Sequence, residues 1–218
     1  MTSAPVNLWT EPEWAQRYLG IRDALPHRME GFAVLVELLP ERVDRVLDLG
    51  TGDGFTLGLV RELRPESRGV GLDFSEEMLG RARERFSDDD HVEIRRHDLD
   101  EPLPADLDGF DLITSSFAIH HVVDARKRAL YAEVAGRLRP GGRFLNLEHV
   151  ASPTPELHRV FLEAIGVRPE EDDPSNKLTP VESQLAWLRE LGLVDVDCVW
   201  KWRELALLAG DRPNLPDS

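Results

Sequence analysis

The chain has 218 residues, 31% of them charged and 41% hydrophobic, with a formal charge of −15; this suits a single domain over 1–218 whose core needs neither disulfides nor metal. Its one cysteine, Cys198, excludes an internal disulfide framework, and the acid excess repels phosphate backbones, which disfavours nucleic acid as a partner. No apolar run approaches the roughly 20 residues of a spanning helix, and the N-terminus has neither a basic lead nor an apolar block, so a soluble cytoplasmic protein away from membranes is expected.

In chain order, Thr10 to Glu13 forms a candidate capping box. Trp9, Trp14, Tyr18, Leu25, Phe32, Leu35 and Val36 then mark two amphipathic helices within residues 1–40, expected to cover a site. Strand-like runs follow: RVLDL (45–49), GVGLD (69–73), VEIRR (92–96), FDLITSS (110–116) and RFLNLEHV (143–150). They alternate with helical segments at 55–64, 75–86 and 125–138, which predicts an α/β fold built on a parallel sheet. Asp124 is placed to cap the last of these helices and RPGG (139–142) to stop it. The basic clusters RARER (81–85) and ARKR (125–128) read as solvated helix faces.

Beyond 150 the pattern changes. A helix at 155–165 leads into EEDDPSN (170–176), an acidic stretch expected as an exposed loop, and residues 151–180 form a candidate substrate lid. Thr179 to Glu182 predicts a capping box with Pro180 at the first helical position, and Gly192 the stop. Strands near 194–200 and 203–209 are separated by so few residues that they must form a hairpin, one strand running antiparallel to the sheet. Cys198, in the first of them, reads as a buried structural thiol.

VLDLGTGDGF (46–55) carries the chemistry. Glycines at 50, 52 and 54 let a ligand touch the backbone where a strand turns into a helix. A dinucleotide fingerprint would need glycine at the position of Phe55, and Asp48 and Asp53 are unfavourable beside phosphates but favourable beside an ammonium or sulfonium. Asp73 ends the second strand about 20 residues on, where an acid accepts the ribose hydroxyls. Asp98, after the third strand, is placed to accept a hydrogen bond from an exocyclic amine.

VLDLGTGDG, GLDFS, HDLDEPLP, FDLITSSFAIHHV and LRPGGRFLNLEHV, across residues 40–150, resemble successive motifs of the class I S-adenosylmethionine-dependent methyltransferases. That resemblance implies a Rossmann-like sheet of seven strands in the order 3-2-1-4-5-7-6 with strand 7 antiparallel, helices on both faces, and S-adenosyl-L-methionine as cofactor with S-adenosyl-L-homocysteine as product. It implies Asp48, Gly50, Thr51, Gly52, Asp73, Phe74, Met78, Asp98, Leu99 and Ser115 as cofactor-binding residues, with Gly50 and Gly52 approaching the methionine part, Asp73 on the ribose, Phe74 flanking the adenine, Asp98 with Leu99 reading its edge, and Ser115 beside the amino group. Arg22 to Pro26, Glu148-His149 and Trp200 to Leu208 are further similar to the group containing the carboxy-S-adenosylmethionine synthases. Where that pattern has an arginine-tyrosine pair for the extra carboxylate, residues 170–178 read EEDDPSNKL, so a carboxylated cofactor is not expected.

His120 and His121 follow the fourth strand, and Glu148 and His149 end the fifth, so both pairs are expected beside the reactive end as candidate catalytic groups. Trp14, Tyr18, Arg22, Phe117 and His158 are candidate acceptor contacts. A metal held by His158 with these pairs lacks any tight ligand spacing and is not expected. The leading expectation is methyl transfer to a small molecule, O- or N-directed, by a monomer or homodimer. The alternatives are an RNA-modifying (tRNA) methyltransferase, which requires a basic groove at the sheet edge, a non-catalytic S-adenosylmethionine-binding module, and a nicotinamide dehydrogenase.

Overall fold

A computed structural model describes residues 25–214 of the chain. The expected capping box at Thr10 and the first amphipathic helix, with Trp14, Tyr18 and Arg22, lie outside the described residues. Helix α1 (Arg28–Glu37) precedes β1 (Arg45–Leu49), α2 (Phe55–Leu63), β2 (Arg68–Asp73), α3 (Glu76–Arg85), β3 (Val92–Arg96), β4 (Phe110–Ser116), α4 (Asp124–Arg137), β5 (Leu138–His149), α5 (Pro155–Ala164), α6 (Val181–Glu190), β6 (Val194–Trp202) and β7 (Leu205–Asp211). Short 3-10 turns lie at Ile119–His121 and Pro169–Glu171. The sheet has the order β3-β2-β1-β4-β5-β7-β6. Strands β1 to β5 run parallel and β7 antiparallel to both neighbours, as expected.

Both faces of the sheet are covered, which is why β1 and β4 are buried almost throughout. Phe32, Leu35, Leu57 and Val60 from α1 and α2 pack with Val46, Leu112 and Leu145 on one face. Leu130, Val134, Leu185 and Leu188 from α4 and α6 pack with Leu47, Ile113 and Phe144 on the other. Alternation along β5 puts Asn146 and Glu148 on the same face as Phe144, so this layer becomes polar toward the strand's C-terminal end. Asn146 Nδ2 donates to the Tyr131 hydroxyl at 3.1 Å, and that hydroxyl donates to Gln184 Oε1 at 2.5 Å.

Several local expectations give way to tertiary contacts. Asp124 is the first residue of α4 instead of its cap, which is Val123. The Asp124 carboxylate instead accepts from the Thr179 hydroxyl at 2.5 Å, so no capping box forms and Pro180 itself sits at the N-cap of α6. Within ARKR, Lys127 is buried: its ammonium donates to the Lys177 carbonyl and to Thr179 Oγ1, so only part of that cluster is a solvated face. The stretch at 170–176 is not wholly exposed either, because Ser175 is buried and Lys177 N–H donates to the His120 carbonyl. Strand β5 begins at Leu138, earlier than the expected 143, so RPGG ends the helix while opening the strand. Cys198 is half-buried, its thiol donating to the Trp200 carbonyl, and burial pushes that thiol up from its ordinary value.

The glycine turn fixes how closely β1 and β4 exits approach. Gly50 has φ +65, and a Cβ there would lie 2.1 Å from the Cβ of Ala118. Gly50→Ala is therefore expected to lower the urea-unfolding free energy by about 2–4 kcal/mol, combining left-handed strain with overpacking. Gly80, in α3, has open space where its Cβ would stand. Gly80→Ala should be neutral or stabilising by up to about 1 kcal/mol in the same measurement.

Candidate active site

The C-terminal ends of β1, β2 and β4 converge on a cavity of about 890 Å³, part of it open to solvent. The turn after β1 forms its floor. Thr51 N–H donates to the Leu72 carbonyl at 2.8 Å, which ties the turn to β2. Asp73, at the end of β2, accepts from Gly52 N–H through Oδ2 and from Ser75 N–H through Oδ1, both at 2.9 Å. Burial raises the Asp73 carboxyl above its ordinary value despite those two donors.

Most expected cofactor residues reach this cavity. Gly50, Thr51 and Gly52 lie on one side, and Phe74, Met78, Asp98 and Leu99 surround the far end. Two do not line it. Asp48 is fully buried beneath the turn, where it accepts from Thr51 Oγ1 and Thr114 Oγ1, each at 2.7 Å. Ser115 is also fully buried and donates to the Leu49 carbonyl at 2.9 Å; its neighbour Ser116 lines the cavity, paired with Thr56 at 2.7 Å between hydroxyl oxygens. With both faces of β4 covered, the hydrophobic pattern does not tell which serine faces which side.

The four candidate catalytic residues separate. After β4, Phe117 takes a left-handed backbone (φ 51) and its N–H donates to Leu147 O, turning the chain into the 3-10 turn at Ile119–His121. This brings Phe117 and His121 into the cavity wall. His120 packs behind His121, ring centroids 4.0 Å apart and planes tilted by 46°, with Nδ1 2.6 Å from Glu148 Oε1. His120 and Glu148 are buried and do not line the cavity. Glu148 Oε1 also accepts from His149 N–H, and burial pushes its carboxyl up to about 7.

His149 and His158 are drawn elsewhere, to Glu204. That fully buried carboxylate at the start of β7 sits 2.9 Å from His149 Nε2 and 2.9 Å from His158 Nδ1, while His158 Nε2 faces Asp172 at 3.2 Å. Neither ring lines the cavity. Among the described residues, no group of three or more His, Cys, Asp or Glu is arranged to hold a metal ion. Sequence reasoning passed over Thr56, Ser116, Asp173 and Ser175. For the last two no sequence signal exists, since an acidic loop reads as solvated whichever way its carboxylates turn.

A methyltransferase domain model matches residues 46–142. Over 153 residues the chain is 30% identical to a demethylmenaquinone methyltransferase of Thermus thermophilus, covering 68% of this chain and 67% of that protein. The chain belongs to the class I S-adenosylmethionine-dependent methyltransferases. It is also 37% identical over 122 residues to the demethylmenaquinone methyltransferase of Clavibacter sepedonicus, covering 56% of this chain and 48% of that one. A solved S-adenosylmethionine-dependent methyltransferase from Mesorhizobium loti superposes with a TM-score of 0.63 at 26% identity, covering 83% of this chain and 97% of that one. The chain spans about half the length of most curated relatives it matches.

The residues of this methyltransferase fit the family's cofactor, S-adenosylmethionine. The turn at Gly50–Gly54 has positive φ at all three glycines, and a Cβ on Gly52 would stand 3.2 Å from Met78 Cε, narrowing the cradle. A buried carboxylate faces the cavity at Asp73, and Phe74, Met78 and Leu99 supply apolar surface for a base.

Burial also pushes the Asp48 carboxyl up to about 6, against the pull of the Thr51 and Thr114 hydroxyls. The folded chain therefore binds this proton more tightly than the unfolded chain does. That stabilisation is complete below about pH 4 and lost as the pH rises through 6. Asp48→Asn, which keeps a neutral polar group at all pH values, should gain on the native chain by about 2–3 kcal/mol from pH 4 to pH 8. The check is the difference in their urea-unfolding free energies across that range; a constant difference contradicts it.

Proposed function

We propose that this chain transfers a methyl group from S-adenosylmethionine to a small-molecule acceptor bearing a hydroxyl or amine. One observation carries the reading: a single cavity joins the Gly50–Gly54 turn and Asp73 to the Phe117–His121 wall, so a cofactor cradle and a candidate base face the same space. In this reading Asp73 takes the ribose hydroxyls. Asp98 takes the adenine amine, with Phe74, Met78 and Leu99 against the ring, and Gly50, Thr51 and Gly52 approach the methionine part.

Bound there, S-adenosylmethionine supplies a methyl carbon whose bond to sulfur breaks, with its electron pair staying on sulfur, as the acceptor's lone pair bonds to carbon. The protein's tasks are to align the acceptor, exclude water and take the proton. Phe55 and Phe117 give the acceptor end aromatic walls, and the buried Arg28 guanidinium lies 4.6 Å from the Phe32 ring centroid and 5.5 Å from those of Phe55 and Phe117. In this reading the segment 151–180, which reaches the His121 ring through Ser175, covers that end.

A second reading, methylation at carbon of a hydroxylated ring, is favoured by the aromatic walls together with the quinone C-methyltransferases among the relatives. It too begins with loss of a hydroxyl proton. The RNA reading is opposed by the cavity's charges, because among the described residues Asp53, Asp73, Asp98 and Asp100 line it with Arg28 as the one arginine or lysine.

Calorimetry with S-adenosylhomocysteine tests the cradle. The native chain should bind it and not NAD. Asp73→Ala should weaken binding by about 1.5–3 kcal/mol, the value of hydrogen bonds to a charged group, and affinity unchanged within error would remove Asp73 from the ribose. Small phenols, hydroxy acids and amines offered with S-adenosylmethionine should yield S-adenosylhomocysteine; turnover confined to RNA would overturn the small-molecule reading.

A further inference from the structure

The proposed function leaves open which histidine takes the proton and why the acidic loop folds onto the site. A count of protons at Ser175 answers both. Ser175 Oγ lies 2.7 Å from Asp173 Oδ1 and 3.1 Å from His121 Nδ1. A hydroxyl has one proton and an ionised carboxylate accepts only. The 2.7 Å contact therefore commits the hydroxyl proton to Asp173, whose Oδ1 also accepts from Ser175 N–H at 2.8 Å. Ser175 Oγ turns a lone pair toward His121, and the short contact there requires the proton to sit on Nδ1.

We propose that Ser175 and Asp173 are positioning residues that hold the His121 ring proton on Nδ1, so that Nε2 carries the lone pair that receives the acceptor's proton. The inference rests on the methyl-transfer reading for its purpose, though its geometry does not. The proton released by the acceptor's hydroxyl or amine passes to Nε2, and the ring becomes an imidazolium. A third residue orienting a base through its other nitrogen is the usual way a side chain fixes a histidine tautomer.

The rest of the surroundings agrees. Burial holds His121 well below its ordinary value, so its neutral form dominates near pH 7. Among the groups facing it are His120 from its own turn, Glu148 from β5, and Asp173 and Ser175 from the loop, the Ser175 backbone as well as its hydroxyl. Lys177, also from the loop, donates to the His121 carbonyl. His120 opposes protonation, and Asp173 and Glu148 favour it. His120 has its own carboxylate and does not line the cavity, so of this turn's two rings it is His121 that reaches it; His97, which also lines the cavity, follows β3 beside Asp98.

Imidazole nitrogen NMR on the 15N-labelled full chain reads the tautomer directly, with His121 assigned by the loss of its signals in His121→Gln. The native spectrum at neutral pH should show His121 as the Nδ1–H form. Ser175→Ala removes the acceptor, and Asp173→Ala frees the hydroxyl proton to point at Nδ1. Each should lower the Nδ1–H to Nε2–H ratio by roughly tenfold, what one hydrogen bond of ordinary net strength supports. Asp172→Ala, which strips a partner from His158 and the carboxylate that accepts from Asp173 N–H while leaving the Asp173 side chain on Ser175, should leave the ratio unchanged. In a pH titration, Asp173→Ala should also shift the His121 transition further down, because a favouring charge is gone.

A native chain with Nε2–H at His121 overturns the proposal. So does a ratio unmoved by Ser175→Ala and Asp173→Ala, or one moved equally by Asp172→Ala, which would mark general loop order as the cause. S-adenosylhomocysteine binding, followed separately by calorimetry, reports on the methyl-transfer reading and not on the tautomer.

Discussion

Gly50 and Ala118 stand against each other where β1 and β4 leave the sheet, and the absence of one methyl group at that point sets the geometry of everything above it. β1 and β4 are hydrogen-bonded neighbours in register from Val46 with Leu112 to Leu49 with Ser115, so their exits are held side by side. Any bulk at position 50 pushes the two exits apart. With none, the glycine turn and the turn that presents His121 share one wall. Both walls of the cavity thus depend on one close contact, between segments nearly seventy residues apart in the chain.

The same edge concentrates buried acids. Asp48, Asp73, Glu148 and Glu204 sit near strand ends, each substantially removed from water and each met by donors. A buried carboxylate without donors costs several kcal/mol, so each one dictates where hydroxyls, amide N–H groups and imidazoles must go. Glu204 explains why His149 and His158 are absent from the cavity wall. Glu148 explains why His120 is. Of the histidines that follow β4 and β5, His121 is the one that reaches the cavity, and its link to Asp173 runs through an intervening hydroxyl.

Much of the fold was legible because parallel strands covered on both faces are short, continuous apolar runs, and the crossovers between them need helices of about the length the periodicity marks. The glycine turn and Asp73 were legible because their roles depend on position relative to a strand end, which spacing reveals. Ser115 and Ser116 were not separable, since a strand buried on both sides has no polar phase. Lys127 and Thr179 were misread for a related reason: local signals favour a solvated cluster and a helix cap, while each side chain is taken up by a partner about fifty residues away. Long-range polar contacts leave no periodic trace in a sequence.

Asp172 and Asp173 are consecutive between the 3-10 turn at Pro169–Glu171 and a turn closed by Asn176 N–H on the Asp173 carbonyl, and their carboxylates meet different partners, one His158 and the other Ser175. Surface loops ordinarily accept insertions and deletions freely. This one is held through both carboxylates, so adding or removing a single residue between Glu171 and Ser175 displaces at least one of them from its partner. Its length is as tightly specified as any residue in it, although its composition suggests the opposite.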